Sequence, residues 1–273
     1  MYFITFSEML GTDGKRIAKH AAKKMYFPFY ADEELFKTAD EMGFLPDAKN
    51  VDEKGPPFFD RWFTEKPKIH LERLQSVIYE VAKKGDGVFF GRGSQLLLKS
   101  FKCALHVLVI GSMEKRIERV MEENKVGKEV AEKLIERSDH DKRGFLRFAF
   151  DEDWLNPHLY DLVLNTDKLS IESAADLVIG AAKSDGVKSC GIDSVKELGI
   201  LSLHRKAESA LLEAGIMTPY LFVEAEDADT LRIYGIVSSG DEKGVIEDVI
   251  KKIKGVKKIF NDLKVSPAAI TGV

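Results

Sequence analysis

The amino-terminal stretch of the chain joins a short apolar strand pattern to a glycine turn and a basic helix start. Residues 2–7 are mostly aromatic or β-branched, residues 11–15 supply the turn, and apolar residues recur with helical spacing from Ile17 to Met25. A short apolar run that is broken by glycine and followed directly by a helix is typical of an α/β unit. Backbone N–H groups left unpaired at the helix start, together with the helix dipole, favour an anion at such a turn. The stretch therefore predicts a strand, a turn able to bind phosphate, and a helix.

This turn matches the phosphate-loop pattern G-x-x-x-x-G-K-[ST] only in part. Met9 occupies the place of the first glycine, and Arg16 occupies the place of the hydroxyl residue that binds magnesium. Taken alone, the stretch also fits a simple strand-to-helix turn in which glycine supplies a positive φ angle. Under the phosphate-binding interpretation, Lys15 reaches the β- and γ-phosphates of a nucleotide. The predicted donor-binding residues are Gly11, Thr12, Asp13, Gly14, Lys15 and Arg16.

A second strand–glycine–helix corner follows later in the chain. Residues 88–90 form a buried strand pattern that runs into the glycine turn at residues 91–94 before another helix. Apolar strand patterns at residues 104–110 and 160–166 also alternate with amphipathic helices, which predicts a parallel α/β sheet. Ligands bind at the carboxyl ends of the strands of such sheets. We therefore expect Arg92 to project into the same cleft as the first turn.

A long charged segment suggests a mobile helical element. Residues 128–148 are predicted as one helix or as a helix pair kinked at Gly144. A charge run of this kind is usually a solvated helix face. Asp139, Arg143 and Arg147 nevertheless recur every four residues, so they share one side of the helix. An arginine stripe on a hinged helix suits a lid that closes over phosphate.

Four aromatic residues surround Arg61 in the short span 58–63. Aromatic residues at such spacing more often close a core or a domain seam than line a pocket for a base. If the cluster does line a pocket, Arg61 is the candidate substrate contact.

The composition limits the classes of partner and cofactor. The 273 residues are 44% hydrophobic and 32% charged, an ordinary globular balance, and the net charge of −4 gives no support for a nucleic-acid partner. The six histidines are scattered, so we expect no protein metal site. Cys103 and Cys190 lack C-x-x-C spacing, so we expect two buried thiols rather than a disulfide. No apolar stretch reaches bilayer-spanning length, and we expect the cytoplasm.

The pattern changes after the helix predicted at residues 171–182. Residues 183–191 are small and polar and suggest a linker. Residues 192–273 read as a helix around residues 201–214, two strands, a helix and a strand. This order predicts a small α+β domain with one layer of helices on an open sheet. We therefore predict one α/β domain over residues 1–182 and a second domain over residues 192–273.

Residues 1–182 resemble the cytidylate kinase-like family, a branch of the nucleoside monophosphate kinases. The resemblance rests on separated pieces taken in order, which are residues 11–18, 28–30, 91–93, 139–147, 153–154 and 160–166. It implies a three-layer P-loop kinase fold with a parallel sheet and a helical lid. It also implies ATP with Mg²⁺ as donor and a pyrimidine nucleoside monophosphate, CMP above all, as acceptor. Phosphoryl transfer would be in line and would depend on positioning and charge neutralisation.

The resemblance also assigns roles to individual side chains. Lys15 and the loop amides hold the donor phosphates, Arg92 anchors the acceptor phosphate, and the lid arginines stabilise charge on the transferred group. The implied catalytic residues are Lys15, Asp141, Arg143 and Arg147. The implied acceptor contacts are Asp32, Arg61, Arg92, Arg137 and Asp139.

Two departures from the family pattern lie in the first turn. Asp13 replaces a family glycine, and its negative charge weakens phosphate binding unless Arg16 or Lys15 neutralises it. Arg16 also cannot ligate magnesium as a hydroxyl group would. These departures leave an alternative open, in which the kinase fold has lost turnover and acts as a nucleotide-responsive binding protein.

The region of residues 192–265 resembles the BON domain, a small module named for periplasmic and nodulation proteins. The resemblance rests on the alternating strand at residues 231–237 and on the turn and strand at residues 255–263. It implies a lipid or protein surface as partner of this region. The structural alternative is an inert stabilising module.

Overall fold

A computed structural model describes residues 1–50, 66–216 and 218–266, and it divides them into two compact units. The described part of the first unit comprises residues 1–35 and 85–191. The described part of the second comprises residues 36–50, 66–84, 192–216 and 218–266. Residues 66–84 therefore group with the carboxyl-terminal part of the chain. The domain limits proposed from the sequence stay a prediction.

Eight strands and ten α-helices are found in the described residues. In chain order they are β1 (Phe3–Glu8), α1 (Gly14–Met25), β2 (Phe29–Tyr30), α2 (Asp32–Met42), α3 (Leu45–Asn50), α4 (Lys66–Ala82), β3 (Gly87–Phe90), α5 (Ser94–Leu97), β4 (Ala104–Ile110), α6 (Met113–Asn124), α7 (Lys128–Phe150), β5 (Leu162–Asn165), α8 (Ile171–Ala182), α9 (Ile192–Glu213), β6 (Leu221–Asp227), β7 (Thr230–Val237), α10 (Gly240–Lys251) and β8 (Lys258–Val265). Among these helices, none combines the length and apolar composition needed to cross a bilayer.

The first unit is built on a five-stranded sheet with the order β2-β3-β1-β4-β5. All of its strand pairs are parallel, and β1 lies in the centre with Phe3 opposite Gly87 on one side and Ala104 on the other. A central parallel strand is covered on both faces, which explains why β1 and β4 read as nearly continuous apolar runs. The prediction of an α/β fold with a parallel sheet is confirmed.

Helices α1 and α8 cover one face of this sheet. Ile17 and Val178 are buried there against Ile4, Val107 and the alanines of both helices. Small alanine side chains let the two helices approach the sheet closely, so the start of α1 is held firmly at the end of β1. On the opposite face, the ring of Phe3 packs edge-to-face against Phe89 at 5.8 Å between ring centroids.

The two glycine corners predicted from the sequence lie side by side. Strands β1 and β3 are parallel neighbours, so both corners fall at the same edge of the sheet. A hydrogen bond of 2.9 Å from the Met9 amide to the Val109 carbonyl joins the first corner to β4, and one of 2.8 Å from the Gly91 amide to the Phe6 carbonyl joins the second corner to β1. The carboxyl-end cleft expected of a parallel sheet is therefore lined by both corners.

The prediction of two separate buried thiols was wrong, because Cys103 and Cys190 form a disulfide. The segment that follows α8 runs back along the start of the sheet, where the Cys190 amide donates to the Met1 carbonyl at 3.0 Å. The Lys188 amide likewise donates to the Lys102 carbonyl at 3.2 Å. These backbone contacts place the two cysteines together although they are 87 positions apart in sequence.

The second unit contains a separate three-stranded sheet. Strand β7 lies in the centre, antiparallel to β6 and parallel to β8. Helices α9 and α10 bury Leu203, Leu211 and Ile246 against Leu231 and Ile233 of β7. The predicted order of elements is present, whereas the assignment of this region to the BON family stays a prediction. Helix α9 begins at Ile192, well before the start expected near Leu201.

A polar seam joins α4 to α9 within the second unit. The Glu80 carboxylate accepts hydrogen bonds from Ser202 Oγ at 2.8 Å and from Lys206 Nζ at 2.9 Å. On its other oxygen it accepts from Lys83 Nζ at 2.9 Å. Burial alone would raise the pKa of Glu80, but these donors lower it to about 2. The carboxylate is thus ionised and paired at neutral pH.

Candidate active site

The turn between β1 and α1 has a backbone conformation that only glycine accommodates at position 11. Gly11 has a φ of +85°, and a Cβ atom added there would lie 2.6 Å from the carbonyl oxygen of Arg116. Asp13 follows with a φ of 60° and does not cap α1 through its side chain. The turn therefore leaves room at the amino end of α1 for an acceptor from elsewhere.

The carboxylate of Glu8 takes that place. Its Oε2 atom accepts a hydrogen bond of 3.1 Å from the backbone amide of Lys15, in the first turn of α1. A Cβ atom added to Gly14 would lie 2.6 Å from the same oxygen, so glycine is also required here for the carboxylate to approach the helix. Unpaired amides and the helix dipole favour negative charge at this position. The amino end of α1 thus binds an oxyanion that the chain itself supplies.

The negative charge of Asp13 is neutralised by two arginines. Its Oδ1 atom lies 2.9 Å from Arg16 Nη1, and its Oδ2 atom lies 3.5 Å from Arg119 Nε. The sequence led us to expect Arg16 or Lys15 as the neutralising group, and the structure has Arg16 together with Arg119. The Arg16 side chain therefore contacts Asp13 within the turn.

Two arginines of α6 fix the turn, and the sequence pattern predicted no role for either. Arg116 is buried, donates from Nε to the Leu10 carbonyl at 2.8 Å, and donates from Nη2 to both carboxylate oxygens of Asp139 at 2.7 and 2.9 Å. Arg119 donates to the Thr166 carbonyl at 2.7 Å. The i, i+3 spacing of the two arginines on an amphipathic helix was the available signal, because residues at this spacing share one side.

Two lysine amines lie near the turn. Lys15 Nζ is 5.9 Å from the centre of the Phe90 ring. Lys142 Nζ of α7 donates to the Glu8 carbonyl at 2.6 Å and lies 5.7 Å from the Trp154 ring. Lys142 was not singled out in the sequence, since only its position on α7 in three dimensions brings it to β1.

The second glycine corner positions Arg92. Its side chain is 6% exposed, and its Nη2 and Nε atoms donate to Asp32 Oδ1 at 2.8 and 3.1 Å. Asp32 begins α2, and its side chain remains 58% exposed. The two predicted acceptor contacts are therefore brought together as an ion pair, in which the burial of Arg92 makes its hydrogen bonds to Asp32 important.

Helix α7 runs unbroken through Gly144 and divides the predicted lid residues into two groups. Asp139 faces α6 through its pair with Arg116, whereas Asp141 lies 3.7 Å from Arg137. Arg143 and Arg147 are exposed and make no ion pair with any described residue. Arg61 lies outside the described residues.

A small cavity with several polar side chains in its lining lies beside the turn. Its lining includes Glu8, Gln95, Lys142 and Trp154. Trp154 Nε1 and Gln95 Oε1 are buried, and neither finds a hydrogen-bond partner among the described residues. The volume is about 10 Å³, roughly what one water molecule needs. A buried donor and a buried acceptor without partners suit an ordered water or a polar ligand atom.

Comparison with known proteins gives a consistent result. The model of the family described as "Cytidylate kinase-like family" matches residues 3–168. A cytidylate kinase from Methanocaldococcus jannaschii is 30% identical over 183 residues, which cover 65% of this chain and 96% of that protein. An uncharacterized protein from Eubacterium ventriosum has a solved structure with a TM-score of 0.55 and 20% identity, covering 67% of this chain and 99% of that chain. This last likeness concerns the fold alone.

Proposed function

Since the chain belongs to the cytidylate kinase-like family, we propose that it is a phosphotransferase that moves the γ-phosphoryl group of ATP to a nucleoside monophosphate, with CMP as the acceptor. Family membership suggests phosphoryl transfer between nucleotides. The choice of CMP as the acceptor goes beyond what family membership alone implies. It is supported by the Methanocaldococcus jannaschii relative, which is a cytidylate kinase.

The observation that carries the proposal is the oxyanion bound at the amino end of α1. The Glu8 carboxylate accepts the Lys15 amide there, which indicates that the turn presents hydrogen-bond donors to a negatively charged group. A donor phosphate offers the same kind of oxygen atoms with more charge. We propose that ATP displaces this carboxylate and that Gly11, Thr12, Asp13, Gly14, Lys15 and Arg16 form the donor site.

Charge neutralisation would come from side chains around this turn. Lys15 would pair with the donor phosphates, and Lys142 lies close enough to the turn to add a second amine. The exposed Arg143 and Arg147 have no described ion-pair partner to give up before they contact the transferred group. Asp141 and Arg137 would orient the neighbouring side chains of α7.

Magnesium would be held mainly by the nucleotide. Among the described residues, no group of three or more His, Cys, Asp or Glu side chains is placed to hold a metal ion. Mg²⁺ keeps several waters and commonly binds through substrate phosphates, so the absence of a hydroxyl at position 16 is compatible with its use. The bound ion would neutralise charge on the phosphates.

The acceptor would bind at the second corner. Arg92 is buried and held by Asp32, so its guanidinium is already oriented when the acceptor phosphate arrives. Asp32 is more than half exposed and is also available to the acceptor ribose. Asp139, which contacts Arg116, would act through that arginine on the turn.

A coupled assay of ADP release, run with each nucleoside monophosphate in turn, tests the proposal. We expect turnover with ATP and CMP, and we expect Lys15→Ala to reduce kcat/KM by about 100-fold or more. Lys133→Ala, an exposed lysine of α7, is the matched control and should retain full activity. Wild-type activity in the Lys15 variant would refute the role given to Lys15.

A second candidate is a nucleotide-binding protein without turnover. The position of Glu8 favours it, because this carboxylate competes with phosphate for the loop. Calorimetric titration with ATP separates the two candidates. Saturable ATP binding without ADP release in the presence of any nucleoside monophosphate would eliminate the enzyme and support the binding protein.

The carboxyl-terminal region is proposed as a BON-like module that contacts a lipid or protein surface. Its separate three-stranded sheet supports a module of this size. Co-sedimentation of the full chain with anionic and neutral vesicles tests whether the region binds a lipid surface. Failure of the chain to pellet with either kind of vesicle would exclude lipid binding. Location in the cytoplasm stays a prediction, and fractionation of cells that express the chain would test it.

A further inference from the structure

The second unit contains a large cavity among α4, α9 and α10. Its volume is about 690 Å³, within the range of small-molecule sites. Ala210 of α9 and Ala214, which directly follows that helix, line the cavity, and Gly255 lies in the turn after α10. A Cβ atom added to Gly255 would meet no atom within 4 Å. Small residues at these positions leave this part of the cavity unfilled.

Part of the cavity lining is apolar. Phe44 follows α2, while Val249 and Ile253 come from α10 and the turn behind it. Together with Ala210, these side chains offer carbon surface and no hydrogen-bonding group to a ligand. Such a surface suits an aliphatic or aromatic body.

Two cations of the cavity wall are already neutralised within the protein. Arg73 pairs with Asp47 at 2.9 Å and with Glu213, and its guanidinium lies 5.1 Å from the centre of the Phe44 ring. Lys206 pairs with Glu80 at 2.9 Å. These pairs make the wall rigid and leave it with little net charge.

Two further lysines carry the unbalanced charge. Lys252 and Lys254 line the cavity, are exposed, and make no ion pair with any described residue. The lining therefore combines apolar surface with a net positive charge at its solvent side. An anion placed there would gain favourable electrostatic energy without losing an existing partner.

We propose that this cavity binds a small amphipathic carboxylate. Its apolar body would lie on Phe44, Ala210 and Ile253, and its carboxylate would lie between Lys252 and Lys254. The proposal concerns the second unit only and does not depend on the proposed phosphotransfer.

Decanoate and the fluorescent sulfonate 8-anilinonaphthalene-1-sulfonate serve as probes with the full-length chain. We expect saturable enhancement of the sulfonate's fluorescence and its displacement by decanoate at concentrations below micelle formation. Decanol, which has the same apolar body without the charge, should compete at least tenfold more weakly. Equal competition by decanol would overturn the role of the lysines, and absence of saturable binding would overturn the site.

Variants locate the binding. Ala210→Trp, which fills the cavity, should abolish probe binding, and Ala214→Trp provides a second filling variant at a more exposed position. The double variant Lys252→Gln, Lys254→Gln should bind decanoate at least tenfold more weakly, while Lys264→Gln, an exposed lysine outside the lining, should bind normally. Melting temperature confirms that each variant is folded. Undiminished binding by a folded filling variant would refute the proposal.

Discussion

Replacing Glu8 by glutamine should strengthen ATP binding. The Glu8 carboxylate is 3.1 Å from the Lys15 amide, so it occupies a position that a donor phosphate would need. A phosphate that enters the turn must displace this carboxylate while its negative charge remains nearby. Glutamine keeps the size of the side chain and its ability to accept a hydrogen bond, but it removes the charge.

The magnitude follows from Coulomb's law. Two unit charges about 4 Å apart repel by about 1 kcal/mol in water and by about 4 kcal/mol at an effective dielectric constant of 20. Glu8 is half-buried, so we take a value of about 1.5–3 kcal/mol between these limits. Since 1.4 kcal/mol corresponds to a factor of ten, the Kd for ATP should fall by about 10- to 100-fold.

Calorimetric titration of ATP into wild type and Glu8→Gln measures the effect directly. Glu122→Gln, an exposed glutamate of α6, is the control for a general change of charge. In the absence of ATP the Glu8 variant should be slightly less stable, by about 0.3–1 kcal/mol, because a charged group at the amino end of α1 is lost. An unchanged or higher Kd would refute the reasoning, since Glu8 would then not compete with phosphate.

Three further predictions concern other contacts. Arg116→Ala leaves Asp139 without its ion-pair partner and the Leu10 carbonyl without its side-chain donor, so urea unfolding should show a loss of about 2–3 kcal/mol. Arg143→Ala should lower kcat more than it raises KM, because Arg143 is proposed to stabilise charge in the transition state. A change in KM alone would contradict that role. Glu80→Gln should cost about 2 kcal/mol of stability at pH 7. Because the folded pKa of Glu80 lies below its ordinary value, this stabilisation is present above pH 4.5 and is lost as the pH falls toward 2, so the deficit of the variant in pH-dependent unfolding should shrink over that interval.

Much of the first unit could be predicted from the sequence because its signals are local. The apolar runs of β1 and β4 and the glycines at positions 11 and 91 follow from short-range rules about buried strands and tight turns. Because the carboxyl ends of parallel strands lie at one edge of a sheet, the two corners were also predicted to lie at the same edge. The alternation of strands with helices was enough to predict that the strands pair in parallel.

Side-chain partners between distant segments could not be predicted in the same way. The sequence does not indicate where the side chain of Glu8 points, so its contact with the amide of Lys15 was not predicted. The disulfide was missed because it depends on the path of residues 183–191 back to the first strand. The start of helix α9 was predicted too far along the chain, because the small polar residues before it resemble a linker. Each case depends on tertiary contacts that a local pattern does not contain.

The polar seam between α4 and α9 joins two parts of the second unit that are far apart in the chain. The boundaries of the structural units therefore differ from any single cut in the sequence. A shortened protein that stops at residue 191 would retain α4 but lose Ser202 and Lys206, which surround Glu80. Such a fragment would expose the apolar side of α4 and leave one carboxylate without its cross-helix donors. A preparation of the amino-terminal two thirds of the chain is therefore expected to have poor solubility because of that helix, even when the proposed nucleotide site is intact.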